Sequence, residues 1–438
     1  MFAYYFDLAL RSFRRNRILT TLMVLAIALG IGASMTTLTI FHVLSGDPIP
    51  QKSERLFTVQ LDPGTMRGYT AGEEPDDQLT RYDAEELLRQ KHGARQAMMT
   101  GGSVAVEPQK QGLDPFYVDA RYTSADFFPM FDTPFLYGNG WSATEDARRE
   151  RVVVIAKELN DKVFGGADSV GRTIRMNGND MRVVGVLDKW RPAPKFYDVN
   201  SNRFGEPELA YIPFSTSRDL KLDRNGNMNC WDNATASDDP EGETGVNAPC
   251  TWIQYWVELD AASGAGEYQQ YLRNYSDQQR ANGRFQRPTN VRFRNVMEWL
   301  AYREVVPSDV RMQVWLAFGF LLVCLLNTVG LLLAKFLRRA SEIGVRRALG
   351  ASRRAIFAQC LVEAGTVGLA GGLLGLGLAW LGLWAIRQQP TGFSDLIHLD
   401  VPMLATTFVL AIAASVLAGL VPAWQACQVT PAMQLKSQ

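Results

Sequence analysis

The chain has 438 residues, 45 basic and 45 acidic side chains, no formal net charge, and 47% hydrophobic against 21% charged residues. Zero net charge, with no Lys/Arg stripe on the long polar stretch, excludes a basic nucleic-acid surface. The mean hydropathy of −0.09 would fit an ordinary globular enzyme, but it averages a polar majority with four apolar segments, so the protein class must be read from their distribution.

Residues 1–17 form a basic amphipathic lead-in, and the first membrane span is placed at 18–43. Within it Ile18–Phe41 contains no Asp, Glu, Lys or Arg and exceeds the roughly 20 apolar residues that cross a hydrocarbon core as helix. Its length and the lack of a small-residue cleavage site argue against a removed signal peptide. Ala26, Gly30 and Ser34 recur every four residues along it, a spacing that lets helix backbones approach closely.

Residues 44–311 are polar and long enough for a folded domain, which reads as α+β. Strands rich in β-branched and aromatic residues are expected at Leu56–Gln60, Val152–Ile155, Thr173–Met176, Arg182–Val186, Leu209–Ile212, Tyr255–Leu259 and Val291–Arg294. Helices are expected at Arg81–His92 behind a Thr80 cap, at Lys157–Phe164 and at Glu267–Asn282. Asn177-Gly178 between two strands signals a hairpin. Cys230 and Cys250 are the only cysteines of this region. They bound a segment rich in Asp, Asn, Gly and Ser and are expected to be bonded if the compartment is oxidising, the alternative being two free thiols. The run 238–243 reads as a solvated acidic loop. A helical stretch over Val296–Val306 runs toward the second span, interrupted only near Pro307.

Spans two to four follow at 312–334, 357–386 and 401–425, with uncharged stretches Met312–Ala334, Ala364–Ile386 and Val401–Gln425. Gly368-x-x-x-Gly372 and Gly371-x-x-x-Gly375 mark span three for close packing. Glu363 stands at its inner border and reads as a structural anchor within reach of solvent or a basic neighbour. Segment 335–356 carries Lys335, Arg338, Arg339, Arg346, Arg347, Arg353 and Arg354, and 387–400 is a short loop before the last span and the tail 426–438. Together with Arg11, Arg14, Arg15 and Arg17, this basic bias puts both termini and the 335–354 segment in the cytoplasm and the large domain outside.

Catalytic motifs are scarce. There is no G-x-x-x-x-G-K-[ST], H-E-x-x-H or G-x-S-x-G. The three histidines, His42, His92 and His398, lie in three separate regions, so a histidine-built metal site or triad is not expected. The calcium-like start at Asp223 fails at Met228 and Ala234. No metal, no cofactor and no catalytic residue is expected in this chain.

The most specific short motif lies between spans two and three. Arg338, Glu342 and Arg346 recur at intervals of four, the spacing of a charged ladder on one helix face. Leu337, Ala340, Gly344 and Ala348 stripe another face. Gly350 suits a left-handed stop, and Ser352 a following cap. One reading is an amphipathic interfacial helix anchored by its basic residues; the sharper one is a docking helix whose Glu342, Ile343, Arg346 and Arg347 meet a partner. Arg339-Ala-Ser-Glu-Ile-Gly-Val-Arg-Arg-Ala-Leu-Gly-Ala-Ser-Arg-Arg354 resembles the R-x-x-E-I-G-x-R-[KR]-A-L-G-A motif of ABC-transporter permeases of the MacB/FtsX/LolCE superfamily. Leu8–Arg17, Val152–Ile155, Val170–Gly178, Val183–Val186, Pro422–Ala426 and Thr430–Leu435 are similar to other parts of that family, whereas 218–249 has no evident counterpart. The resemblance implies a membrane α-helical permease with four transmembrane helices and a large α+β periplasmic domain between the first two. It further implies a bacterial inner-membrane location and a homodimer or a heterodimer with a paralogue. A separate ATPase would bind ATP and magnesium. The family's efflux branch adds a membrane-fusion adaptor and outer-membrane channel, while other branches extract lipoproteins or signal to a cell-wall hydrolase. A motorless receptor would share the topology but not the docking motif.

Overall fold

The computed structural model describes residues 2–15, 17–108, 112–231, 241–389 and 401–428. The chain divides into two units, one made of Met1–Ser45 with Val306–Gln438 and one of Gly46–Val305. The helices in chain order are α1 (Phe2–Arg15), α2 (Arg17–Ser45), α3 (Arg81–Gln90), α4 (Phe127–Met130), α5 (Ala143–Ala147), α6 (Lys157–Phe164) and α7 (Phe214–Asp219). They continue as α8 (Ala265–Ala281), α9 (Val296–Tyr302), α10 (Ser308–Arg338), α11 (Ala340–Ala348), α12 (Arg353–Arg387) and α13 (Val401–Cys427).

The larger unit is a mixed sheet of β1 (Leu56–Gln60), β2 (Leu79–Thr80), β3 (Arg95–Glu107), β4 (Phe116–Thr123), β5 (Phe135–Gly138), β6 (Val152–Ala156) and β7 (Thr173–Met176). The remaining strands are β8 (Asn179–Leu187), β9 (Ala210–Pro213), β10 (Arg224–Asn225), β11 (Asn229–Cys230), β12 (Cys250–Glu258) and β13 (Arg292–Asn295). The main path runs β13-β1-β12-β3-β4-β9-β6-β8-β5, with parallel pairs at β4/β9 and β6/β8. Successive side chains of a strand point to opposite faces, and here both faces are covered. Val153, Ile155, Met98, Tyr255 and Val257 enter one core, while Val152, Val154, Met99 and Trp256 enter the other. That double burial explains the unbroken apolar run Val152–Ala156.

The Thr80 cap forms, its hydroxyl accepting from the Asp83 N–H at 3.1 Å. Asn177 and Gly178 turn the β7–β8 hairpin with φ of 45° and 73°, as a tight Asn-Gly turn requires. Cys230 and Cys250 are disulfide-bonded and stand opposite each other in the β11–β12 pair. One pair of strands is new and two expectations are corrected. The long central strand β3 and its partner β4 were not foreseen, because β3 contains Gly101-Gly102 and methionines where β-branched residues would signal a strand. The stretch Val296–Val306 is not one helix into the second span. Instead α9 ends at Tyr302, Glu304 takes a positive φ of 46°, and α10 starts afresh behind Pro307. The acidic loop is not merely solvated, since Glu241 pairs with Arg81 at 2.7 Å. Residues 238–240 of that run, 390–400 and the motif Thr430–Leu435 lie outside the described residues.

In the other unit, four helices among the described residues are long and apolar enough to cross a membrane: Arg17–Ser45, Ser308–Arg338, Arg353–Arg387 and, within α13, Met403–Cys427. α2 packs against both α10 and α12, and α13 packs against α12 and α10. Small residues set these contacts. A Cβ at Gly30 would meet Leu321 at 2.8 Å, and one at Gly371 would meet Ile27 at 2.7 Å. Ser34 Oγ donates to the Ala317 carbonyl at 3.1 Å, and Ala26 is half-buried on the same helix. The two motifs of α12 serve different neighbours: Gly368 and Gly372 face Ser415 and Ala411 of α13, whereas Gly371 and Gly375 face Ile27 and Ile31 of α2. Gly32, Gly382 and Gly419, not singled out from the sequence, make equally close approaches. Gly371→Leu is therefore expected to cost about 1–3 kcal/mol through overpacking. Gly365→Ala, where an added Cβ has nothing within 4 Å, should be neutral. Thermal unfolding midpoints of the two variants decide this, and equal midpoints would reject the packing assignment.

Candidate functional site

The helix α12 has 35 residues, a rise of ~52 Å against a hydrocarbon core of ~30 Å, so it extends well beyond the bilayer interior. Glu363 lies on its first third and organises that end of the helices. Its carboxylate pairs with Lys335 at 2.7 Å and with Arg339 at 3.3 Å, and it accepts a short hydrogen bond from the Ser12 hydroxyl. The basic neighbours foreseen for Glu363 are thus the end of α10 and the α10–α11 junction. Lys335 is fully buried; its ammonium also approaches the Thr20 hydroxyl at 3.5 Å and lies 5.4 Å from the Phe13 ring. One carboxylate therefore ties together α1, α2, α10 and α12.

The chain of charges continues outward. Arg339 Nε reaches Glu342 at 3.5 Å and Arg346 Nη2 reaches the same residue at 2.9 Å, so signs alternate through Lys335, Glu363, Arg339, Glu342 and Arg346. Arg346 also donates to Gln359 of α12 at 3.1 Å. Arg347 donates to the Cys427 carbonyl at the end of α13, at 3.3 Å. α11 is thereby bonded directly to α12 and α13, and through Arg339, Glu363 and Lys335 to α10 and α2.

The expected ladder is corrected in one member. The helix breaks at Arg339, whose φ is −104°, so Arg339 rather than Arg338 supplies the first cation. The break also divides the apolar stripe: Ala340 and Gly344 are buried, while Leu337 and Ala348 are exposed. Ile343 packs against the core of the membrane unit. Gly350 stops the segment with φ of 97°, in the left-handed region that favours glycine, and the Ser352 hydroxyl caps α12 by accepting from the Ala355 N–H at 3.2 Å. The outward face of α11 is apolar instead of charged, with Val345 60% and Leu349 83% exposed. The cavity between α11 and α12, lined by Arg339, Glu342, Arg346 and Glu363, holds about 20 Å³. That is room for about one water and not for a substrate. The site is built to hold a helix in place.

Four membrane-capable helices, with an α+β domain inserted between the first and the second, define a multi-pass membrane protein of the inner-membrane permease type. Residues 20–275 match the model of the MacB-like periplasmic core domain and residues 314–431 that of the FtsX-like permease C-terminal. The chain belongs to this family and is a MacB/FtsX-like ABC-transporter permease. It is 23% identical over 98% of its length to a macrolide export ATP-binding/permease protein MacB of Chlorobium luteolum, of which it covers 59%. It is 24% identical, again over 98%, to the protein of the same name from Marinobacter nauticus, of which it covers 60%. The chain thus spans about three-fifths of the length of these relatives. Among solved structures, the periplasmic region of MacB from Actinobacillus actinomycetemcomitans aligns with 57% of this chain and 92% of its own, at 14% identity and a TM-score of 0.34.

Proposed function

We propose that this chain is the force-transmitting permease of an ABC transporter, driven by a separate ATPase that binds ATP and magnesium and seats on α11. The observation that carries this reading is the pairing of an exposed apolar face, Val345 and Leu349, with a charge chain that leads from the same short helix to buried Glu363. A push on α11 reaches α1, α10 and α12 together. The basic bias of segment 335–354 supports a reading in which it and both termini lie in the cytoplasm, where an ATPase is available, and the α+β domain in the periplasm. In this reading the partner meets Val345 and Leu349, while Glu342, Ile343, Arg346, Arg347 and Gly350 fix the angle at which they are presented.

The spans act as a lever and not as a conduit. They are apolar, and the buried Lys335–Glu363 pair lies near their end, where it links helices instead of lining a path. Full reversal of a two-state equilibrium takes about 5.5 kcal/mol of differential binding, which nucleotide binding in two partner subunits can supply. A second permease, identical or paralogous, would complete the transporter. The macrolide-export names of the relatives support efflux as the output, and the adaptor and outer-membrane channel are what the resemblance to the family's efflux branch adds to this reading.

Leu349→Asp puts a charge on the exposed docking face without touching the internal charge chain. It is expected to abolish permease-stimulated ATP hydrolysis in proteoliposomes while expression and thermal midpoint stay at wild-type level. Unchanged stimulation would remove α11 as the docking element.

A further inference from the structure

The α+β unit contains a second feature that the lever does not use, a cleft of about 520 Å³. That volume falls within the roughly 300–1,000 Å³ of small-molecule sites. Its walls are β4 (Tyr117–Ala120), the segment 195–209 and the turn Asn225-Gly226-Asn227. The last wall depends on glycine. β10 pairs with β3 at Gly101 and Gly102, a Cβ at Gly101 would meet Asn225 Oδ1 at 2.2 Å, and Asn225 Nδ2 donates to the Gly102 carbonyl at 3.1 Å. Three residues beyond the turn, the disulfide at Cys230 pins the same segment to β12.

The floor is a buried polar network. Arg121 pairs with Asp198 and Glu208, Lys195 with Glu208 at 2.7 Å, and the Tyr197 hydroxyl donates to Glu208 at 3.0 Å. Arg121 Nη1, Asn200 Oδ1 and Gln254 Oε1, around this floor, are buried without a hydrogen-bond partner. The rim is different in character. Asp119, Ser201, Asn202, Glu206, Asn225 and Asn227 are all exposed, and beside them Tyr117 has 77% of its surface free.

The chemistry of the lining selects a ligand class. Arg121 and Lys195 are neutralised by Asp198 and Glu208 and Glu206 pairs with Arg191 at 3.4 Å, so the floor offers its cations to no added anion, and exposed Asp119 on the rim further disfavours phosphates, sulfates and carboxylates. The scarcity of apolar lining disfavours a lipid or hydrocarbon ligand. What remains is a neutral or amine-bearing molecule with many hydroxyls. Planar carboxylates and amides supply acceptors and donors in the numbers that such hydroxyls need, and an exposed tyrosine ring offers an apolar face with a polar tip. We propose that this cleft is a saccharide-binding site, in which Tyr117 stacks on a sugar ring and Asp119, Asn202 and Asn227 hold its hydroxyls. It is independent of the docking role of α11.

Full-length protein in lipid nanodiscs, titrated calorimetrically with chitotriose, maltotriose and glucosamine, tests this. At least one of these should bind, and Tyr117→Ala and Asp119→Asn should each weaken it at least tenfold. Both side chains are exposed, so folding should survive, as an unchanged thermal midpoint would show. Met66→Ala, an exposed apolar residue outside the cleft, should bind as wild type does. The proposal is overturned if none of the three saccharides binds, if binding persists undiminished in both cleft variants, or if a lysine tripeptide alone occupies the cleft in a Tyr117-dependent way.

Discussion

Lys335→Met is expected to be among the most damaging single substitutions in this chain. Lys335 and Glu363 are both buried and 2.7 Å apart, and removing one partner of a buried ion pair costs about 3–5 kcal/mol because the other charge is left uncompensated. Arg339 stays within 3.3 Å of Glu363, so the lower end of that range is expected. Replacing both partners by apolar residues, as in Lys335→Met with Glu363→Leu, should recover much of the stability, since buried pairs are often no better than well-packed hydrophobic replacements. It should not recover stimulated ATP hydrolysis, because Arg339 and the Ser12 hydroxyl, themselves bonded at 3.1 Å, then lose the α12 carboxylate on which both converge. Thermal midpoints and ATP turnover measured on the same preparations separate the two roles. Recovery of both would reduce Glu363 to a packing anchor.

Acid should destabilise the α+β unit through Glu208. Burial acts to raise its pKa, but Arg121 and Lys195 outweigh burial and hold the carboxyl down at about 2, against an ordinary 4.5. A folded-state value below the unfolded one means that the stabilisation is fully present above about pH 4.5 and is lost as pH falls from there toward 2. The difference corresponds to stability on the order of 3 kcal/mol. Glu208→Gln should be less stable at neutral pH and should show a shallower loss of stability across that window. Parallel pH profiles for the two proteins would instead place the acid-sensitive contact elsewhere.

Much of the architecture was legible in the sequence because its signals are local. Four uninterrupted apolar stretches, an Asn-Gly turn and a Thr80 cap each report their own backbone, and each appears where it was expected. The two motifs of α12 are offset by three residues, which turns their centres by only ~60° around the helix; they form one broad small-residue face, and the sequence could not say that α13 takes one side and α2 the other. Glu363 was visible as a charge at a span border. Its partners Lys335, Arg339 and Ser12 are 28, 24 and 351 residues away, so the network exists only after folding. The docking motif was recognised, yet its charges were assigned outward. In the structure Glu342 and Arg346 are half-buried and bond to each other and, for Arg346, to Gln359, while Val345 and Leu349 are the more exposed. The strand β3 was hidden because Gly101 and Gly102 are there for the approach of Asn225 and Tyr122, a tertiary requirement that overrides β-propensity.

The central claim, that an ATPase sits on α11, is tested most directly by a photo-crosslinking residue placed at Leu349, with Leu326 as a control in the exposed apolar surface of α10. Irradiation in native membranes followed by mass spectrometry of the adducts should give, at Leu349 only, a polypeptide carrying a G-x-x-x-x-G-K-[ST] phosphate loop. Lipid adducts alone at both positions would contradict the account.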